Sequence, residues 1–172
     1  MPYHFFWKGP LSQWHPCRIQ IWDRTFNCAE QAMMFGKAQL FGDTETAEQI
    51  VQANEPGKQK ALGRTVRGFD DDIWDAEKEA LVFAINLAKF EQNKGLRRKL
   101  FQTLPSDLAE ASPLDTVWGI GLDSSQATTT HPDLWPGQNL LGRALTKVRD
   151  TLIRRHPAEA QACAGAPQGD TP

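Results

Sequence analysis

Cysteine and histidine are scarce in this 172-residue sequence. The three cysteines stand far apart, at Cys17, Cys28 and Cys163, and an odd number without close spacing predicts neither a disulfide framework nor a zinc knuckle. The four histidines are never three or four residues from one another. We therefore predict no metal site and no cofactor, with a cation carried in by a phosphorylated substrate as the one exception left open.

The sequence also lacks an excess of either charge and any long apolar run. It has 19 Lys and Arg residues against 21 Asp and Glu residues, a balance that argues against binding nucleic acid through bulk positive charge. No apolar stretch approaches the roughly 20 residues of a membrane span, and the start Pro2-Tyr3-His4 is unlike a signal peptide. We predict a soluble, cytoplasmic protein with no membrane partner.

The apolar residues that are present, 40% of the sequence, suffice for a folded core. Their periodicity predicts an α+β fold, a mainly helical single domain with a few short strands. A polar–apolar alternation predicts a hairpin at 18–26, and Asn27 followed by Glu30 predicts a capping box at the start of the first helix. The domain is predicted to span residues 1–156. The Ala-, Gly-, Pro- and Gln-rich segment 157–172 is predicted to be a disordered C-terminal tail.

Further helix boundaries follow from capping residues. Asp43 is expected to cap a second helix, and the longest helix is expected from Asp71 to about Asn93, with Gly95 as a left-handed C-cap. The Thr-, Ser-, Pro- and Gly-rich segment 123–138 predicts a loop. Asn139 is expected to cap the last helix.

Glu30 and Lys37 stand seven residues apart on the predicted first helix. Seven residues at 3.6 per turn return to within about 20° of the same face, so both side chains are expected to point the same way. If that face is buried, the pKa of the amine falls and the amine can act as a nucleophile, with the carboxylate as general acid or base. The alternative is that Glu30 completes a cap and Lys37 lies at the surface, and spacing alone favours this alternative.

A second group of chemistry-bearing residues runs from Glu110 to Gly121, in a predicted loop. It combines the carboxylates of Glu110 and Asp115 with the indole of Trp118 and two glycines. Glycine lets a backbone approach a ligand closely, and an indole can stack on a base. An ordered loop whose polar groups bind local backbone explains the same residues equally well.

Two smaller groups offer binding chemistry. Gln13 and Trp14 place an amide beside an aromatic ring in irregular chain, and Arg64 places a guanidinium near the end of a helix, where it can hold a phosphate. The alternative for the first group is that Trp14 fills one end of the core and Gln13 satisfies a turn. For Arg64, the residues alone favour a side chain that faces solvent.

Taken in order, these groups resemble the YbiA-like N-glycosidase family, also called NADAR. The resemblance covers about residues 5–152. The matching segments are Leu11-Ser12-Gln13-Trp14, Asn27-Cys28-Ala29-Glu30-Gln31, Met33-Met34, Lys37-Ala38, Phe41-Gly42-Asp43, Lys60-Ala61-Leu62-Gly63-Arg64, Phe69-Asp70, Trp74, Lys89-Phe90-Glu91-Gln92-Asn93, Glu110-Ala111-Ser112-Pro113-Leu114-Asp115, Trp118-Gly119-Ile120-Gly121-Leu122 and Trp135-Pro136-Gly137-Gln138-Asn139-Leu140-Leu141-Gly142.

The resemblance implies an enzyme that hydrolyses the N-glycosidic bond between a ribose and a base. It implies two substrate classes, the phosphoribosylamino-pyrimidine intermediates of riboflavin biosynthesis and ADP-ribose attached to guanine. The implied partner is thus a small phosphoribosyl or ADP-ribosyl compound, and ADP-ribosylated nucleic acid is a further candidate. Lys37 would attack the anomeric carbon to give a Schiff base, with Glu30 as the nearby carboxylate. The implied substrate-binding residues are Gln13, Trp14, Arg64, Glu110, Asp115, Trp118 and Asn139.

Two other functions compete with this interpretation. One is a non-catalytic module that binds ADP-ribose or a similar nucleotide in a Trp-lined pocket, and the other is a helical structural domain without a ligand. Lys37 discriminates between enzyme and binding module, because a binder gains little from a desolvated amine. Ala32 stands where the family often has an aromatic residue, and this leaves the substrate open.

Overall fold

The computed structural model describes residues 2–164. They form two compact units. The terminal unit comprises residues 2–12 and 94–164, and the central unit comprises residues 13–93. Among the described residues, no helix combines the length and apolar character needed to cross a membrane.

Short strands and longer helices alternate along the described chain, and the prediction of a mainly helical α+β fold is confirmed. The elements are β1 (Tyr3–Phe6), β2 (Ile19–Ile21), β3 (Arg24–Phe26), α1 (Ala29–Leu40), α2 (Thr44–Gln52), α3 (Pro56–Gly63), α4 (Asp71–Gln92), α5 (Lys94–Phe101), β4 (Asp107–Glu110), α6 (Ser124–Thr129), a 3₁₀ turn (Pro132–Leu134), α7 (Leu140–Arg155) and α8 (Pro157–Ala164).

The central unit is built around α1. The predicted hairpin is confirmed, since β2 and β3 pair antiparallel. Trp22 and Asp23 connect them with φ angles of 55° and 56°, the left-handed conformation that a two-residue type I′ turn requires. Helix α1 packs against α2, α3 and α4, and Ala29, Ala32 and Ala38 on α1 are fully buried. Small side chains at these positions let the neighbouring helices approach α1 closely.

The predicted capping box at the start of α1 is wrong, because the helix begins one residue later than the pattern indicated. Cys28 is the N-cap, and its Sγ accepts a hydrogen bond from the Gln31 backbone N–H at 3.4 Å. The Asn27 N–H, which a capping box would give to Glu30, is bound at 2.7 Å by Oε1 of Gln31. The carboxylate of Glu30 is therefore not the partner of the Asn27 N–H.

The other helix starts in the central unit agree with the sequence. Asp43 caps α2 by accepting a hydrogen bond from the Thr46 N–H at 3.1 Å. Its carboxylate also binds the guanidinium of Arg67 at 2.8 Å, and this contact holds the pKa of Asp43 well below its usual value. The start of α4 at Asp71 is confirmed. The predicted C-cap at Gly95 is wrong, because Gly95 lies inside α5.

The terminal unit combines a two-stranded sheet with helices. Strands β1 and β4 pair in parallel, with Tyr3 opposite Asp107. The sheet buries Ala109 and Ala111 in a small core against which Trp135 packs. Helix α7 packs against β4, and α5 and α8 also contact α7.

The predicted disordered tail is wrong for residues 157–164, which form α8. Pro157 suits the first turn of a helix, and Ala160 and Cys163 are buried. Glu159 binds the guanidinium of Arg97 on α5 at 2.9 Å, which joins α8 to the rest of its unit. Residues 165–172 lie outside the described residues.

The predicted loop at 123–138 is also partly wrong, because it contains α6 and the 3₁₀ turn. Asp123 and Gln126 form a complete capping box at the start of α6, and Ala127 is buried. This local pairing outweighs the poor helix propensity of the Ser and Thr residues that follow it.

Candidate active site

Lys37 is half-buried in the last turn of α1, beside two aromatic rings. Its Nζ lies 4.6 Å from the ring centroid of Phe69 and 5.6 Å from that of Trp74. Desolvation by this burial lowers the pKa of Lys37 below its ordinary value. The amine is thus more readily deprotonated than a surface lysine, although the aromatic faces favour its charged form.

Glu30 occupies the first turn of the same helix and is only 7% exposed. Its carboxylate is the second largest influence on Lys37 and raises the pKa of the amine, whereas the guanidinium of Arg64 lowers it and Asp71 raises it. Such effects require the charged groups to lie within interaction distance of one another. Glu30 and Lys37 therefore share one electrostatic environment, as their seven-residue spacing predicts.

Gln13 and Trp14 belong to the same unit as Lys37. The backbone carbonyl of Gln13 accepts a hydrogen bond from the Glu30 N–H at 2.9 Å, so Gln13 is fixed at the N-terminus of α1. Trp14 is 46% exposed, which contradicts the simpler interpretation that it fills the core. Five of the nine predicted site residues thus lie in the central unit.

Sequence reasoning did not assign Phe69, Asp71 or Trp74 to the surroundings of Lys37. These residues come from the segment before α4 and from its first turn. Phe69 also packs edge-on against Phe41, with ring centroids 5.2 Å apart. The available sequence signal was the family resemblance, whose matching segments include Phe69-Asp70 and Trp74. In the structure Phe69 keeps 40% of its surface exposed.

Lys89 is a second amine whose pKa burial lowers, to about 8. It lies on α4 in the central unit, and the nearby thiols of Cys17 and Cys28 favour its charged form. Lys89 is fully buried, so a substrate cannot reach it without displacing the core. Accessibility therefore distinguishes Lys37 from Lys89 as a candidate nucleophile.

The other four predicted site residues lie in the terminal unit. Asp115 accepts hydrogen bonds through Oδ1 from the backbone N–H groups of Val117 and Trp118, at 2.9 and 2.8 Å. The backbone carbonyl of Glu110 accepts a hydrogen bond from the Ile120 N–H at 2.9 Å. Asp115 thus makes the local backbone contacts of an ordered loop, and its role as a substrate contact stays a prediction.

Asn139 performs a structural task in the same unit. It has a left-handed φ of 54° and caps α7 by position, but its side chain makes no capping hydrogen bond. Instead, Oδ1 accepts a hydrogen bond from the Glu110 N–H and Nδ2 donates one to the Leu108 carbonyl, both at 3.0 Å. The amide therefore ties the start of α7 to β4.

Replacing Asn139 with Ala is expected to lower the free energy of unfolding by about 2 kcal/mol or more. The change leaves the Glu110 N–H and the Leu108 carbonyl without their partner, and it places Ala in a left-handed conformation. Denaturant unfolding measures the loss. Asn139→Gly removes the same hydrogen bonds without the backbone strain and should lose less, and equal stability of both variants and wild type would contradict this role.

Two further features bear on the site. Within residues 2–164, no cluster of three or more His, Cys, Asp or Glu side chains is arranged to hold a metal ion.

The terminal unit has a cavity of about 620 Å³ between β1, the segment after it and α5. None of the nine predicted site residues lines this cavity.

Comparison with known proteins decides the family. The family model described as the NADAR domain matches residues 5–153. The chain belongs to the NADAR domain family. It is 41% identical over 145 residues to N-glycosidase R617 of Acanthamoeba polyphaga mimivirus, covering 81% of this chain and 85% of that protein.

Two other relatives extend the comparison. N-glycosidase YbiA of Escherichia coli is 28% identical over 144 residues, and its NMR structure matches with a TM-score of 0.74 and 25% identity, covering 91% of this chain and 88% of that chain. The chloroplastic riboflavin biosynthesis protein PYRR of Zea mays is 31% identical over 127 residues, covering 69% of this chain but 19% of that protein. These matches confirm the resemblance and identify the chain as a hydrolase of N-glycosyl bonds.

Proposed function

We propose that this NADAR protein releases a base from a ribosyl or phosphoribosyl group, with Lys37 as nucleophile and Glu30 as the acid–base partner. The observation that carries the proposal is the half-buried amine of Lys37, on the same helix as the buried carboxylate of Glu30. Desolvation lowers the pKa of this amine, although the charge of Glu30 raises it. Attack on an anomeric carbon requires a reachable amine in its neutral form, and a lowered pKa favours that form.

The first step joins the Lys37 nitrogen to the anomeric carbon while the bond from that carbon to the base breaks. The bonding electron pair leaves with the base nitrogen, and the base gains a proton. Glu30 can take a proton from the attacking nitrogen and deliver one to the base, because a carboxylate can serve as acid and base in turn. Its negative charge also stabilises the positive charge that develops on the sugar.

Release of the sugar needs water. Opening of the ribose ring converts the lysine adduct into a Schiff base, and water then adds to the same carbon and expels the lysine nitrogen. The net reaction consumes one water and gives two products. One is the free sugar compound, which is ribose, its phosphate or ADP-ribose, and the other is the base with a hydrogen on the nitrogen that the sugar left. No redox partner is needed for this balance.

Two substrate classes are compatible with this chemistry, the phosphoribosylamino-pyrimidine intermediates of riboflavin synthesis and guanine carrying ADP-ribose. The similarity to a maize riboflavin biosynthesis protein supports the first class. The guanidinium of Arg64, close enough to influence Lys37, supports a phosphate-bearing sugar in either class. Incubation of the protein with both substrate sets, followed by mass spectrometry of the released base, tests the proposal, and absence of a free base from both would contradict it.

Arg64→Gln is expected to move the rising limb of the kcat–pH profile to higher pH. The proposed mechanism requires neutral Lys37, and removal of the Arg64 charge takes away an influence that lowers the pKa of that amine. If Arg64 also holds the phosphate, KM rises at every pH. Lys60→Gln removes a cation from α3, which ends one residue before Arg64, and should leave the rising limb in place. A limb that moves to lower pH in Arg64→Gln would contradict the assignment.

A further inference from the structure

Asn86 is a fully buried amide on α4 that contacts the predicted substrate residue Gln13. Its Nδ2 donates one hydrogen bond to the Val82 carbonyl at 2.9 Å and another to Oε1 of Gln13 at 3.0 Å. The two amides lie 73 residues apart in sequence, and both belong to the central unit.

The contact with Val82 fixes the orientation of the Asn86 amide, and the Asn86 amide in turn fixes the orientation of the Gln13 amide. A backbone carbonyl can only accept, so the end of Asn86 that faces Val82 must be the NH₂ group. The same NH₂ group faces Gln13, and the atom of Gln13 that meets it must therefore be the oxygen. The NH₂ group of Gln13 is then directed away from Asn86.

The NH₂ group of Gln13 is a hydrogen-bond donor without an acceptor among the described residues. Gln13 is 9% exposed, and its Nε2 has no hydrogen-bond partner among residues 2–164. The backbone of the same residue is fixed to the N-terminus of α1 through its hydrogen bond from the Glu30 N–H. A buried donor without a partner is costly and is rarely kept in a folded protein without a functional reason.

We propose that Asn86 is a positioning residue, which holds the Gln13 amide so that its NH₂ group donates to an oxygen of the ribosyl substrate. This inference rests on the proposed function, because it places the substrate next to Gln13 and Glu30. In this proposal Asn86 acts through the orientation of Gln13. Its own Oδ1 is also buried without a hydrogen-bond partner among residues 2–164.

The orientation itself can be measured on the wild-type protein without substrate. Scalar coupling across hydrogen bonds, measured by NMR, should join Nδ2 of Asn86 to the side-chain carbonyl carbon of Gln13. Coupling from Nε2 of Gln13 to the side-chain carbonyl carbon of Asn86 would show the opposite orientation and overturn the proposal. This result does not depend on whether the protein releases a base.

A double-mutant cycle tests the effect on substrate. Gln13→Glu keeps the oxygen that Asn86 binds and removes the donor, so KM should rise about tenfold or more. Asn86→Leu removes the group that fixes the Gln13 amide, so KM should rise several-fold with a smaller change in kcat. In the Gln13→Glu background, Asn86→Leu should raise KM no further, because the donor is already gone. Equal effects of Asn86→Leu in both backgrounds would overturn the proposal.

Asn93 provides a matched control for a merely structural role. It lies next to the end of α4 and its Nδ2 also donates twice, to the Lys89 carbonyl and to the Arg18 carbonyl. Both Asn93→Leu and Asn86→Leu should lower the thermal midpoint, but Asn93→Leu should leave KM unchanged. A rise in KM in Asn93→Leu equal to that in Asn86→Leu would assign the effect to general loosening of α4.

The dissociation constant of ribose 5-phosphate, measured by calorimetry, replaces KM if the wild type releases no base. A wild type that releases no base contradicts the proposed function. The double-mutant cycle, measured through the dissociation constant of ribose 5-phosphate, still tests whether Asn86 positions Gln13. Binding that weakens in Asn86→Leu only when Gln13 is present supports the inference. Wild-type protein that binds no ribose 5-phosphate, or binding that is unchanged in Asn86→Leu, overturns it.

Discussion

Lys37→Ala is expected to lower kcat for base release by about 10³-fold or more, while the thermal midpoint stays near that of wild type. The large effect follows because the proposed covalent route loses its nucleophile, and groups that act as a unit in catalysis lose most of their effect when one is removed. The small effect on stability follows because Lys37 is only half-buried. Steady-state kinetics and thermal unfolding measure the two quantities separately.

Two control variants distinguish a nucleophilic role of Lys37 from a role of its positive charge alone. Lys37→Arg keeps a cation beside Phe69 and Trp74 but supplies no neutral amine at working pH, so its kcat should be as low as that of Lys37→Ala. Lys58→Ala removes an exposed lysine of α3 and should behave as wild type. Full activity in Lys37→Ala would contradict the nucleophile role of this residue.

Glu30→Gln is expected to lower kcat by about 10²- to 10⁴-fold, the range typical of a general acid or base. Glutamine matches the shape of glutamate but cannot transfer a proton, and it does not stabilise positive charge on the sugar. The change should also move the residual rising limb of the pH profile to lower pH. The Glu30 carboxylate raises the pKa of Lys37, so its removal lowers that pKa.

The direction of this shift is opposite to that expected for Arg64→Gln, and the pair tests the electrostatics around Lys37. Glu55→Gln is a suitable control, since Glu55 precedes α3 and makes no side-chain capping hydrogen bond. It should leave both kcat and the pH profile unchanged. A limb that moves to higher pH in Glu30→Gln would show that another group controls the profile.

Local patterns in the sequence predicted much of the central unit. The hairpin, the cap at Asp43 and the start of α4 depend on residues a few positions apart, and the structure has all three. The capping box of α1 failed because a cysteine sulfur took the N-cap position. Sulfur is a weak hydrogen-bond acceptor, so sequence rules rank Asn27 ahead of Cys28.

Longer-range contacts could not be predicted in the same way. Composition favoured a disordered segment after Pro157, but α8 is held by the ion pair between Arg97 and Glu159, which are 62 residues apart. Likewise, the helix at 124–129 depends on a capping box inside a segment whose overall composition suggests a loop. A disordered tail and a packed helix such as α8 differ in their long-range contacts, and amino-acid composition does not reveal such contacts.

In the candidate site, too, local features could be predicted from the sequence and long-range contacts could not. The seven-residue spacing of Glu30 and Lys37 is a property of one helix and was readable from sequence. The aromatic neighbours of Lys37 come from another segment, and Asn86 reaches Gln13 across 73 residues. These contacts exist only once α1 and α4 have packed together.

Reductive trapping with borohydride tests the central claim most directly. Protein incubated with a phosphoribosyl or ADP-ribosyl substrate and borohydride is digested, and mass spectrometry locates the modified peptide. The mechanism predicts a stable ribosyl adduct on Lys37 that forms only when substrate is present, and no adduct in Lys37→Ala. Base release without any trapped lysine, or an adduct on Lys89 instead, would contradict it.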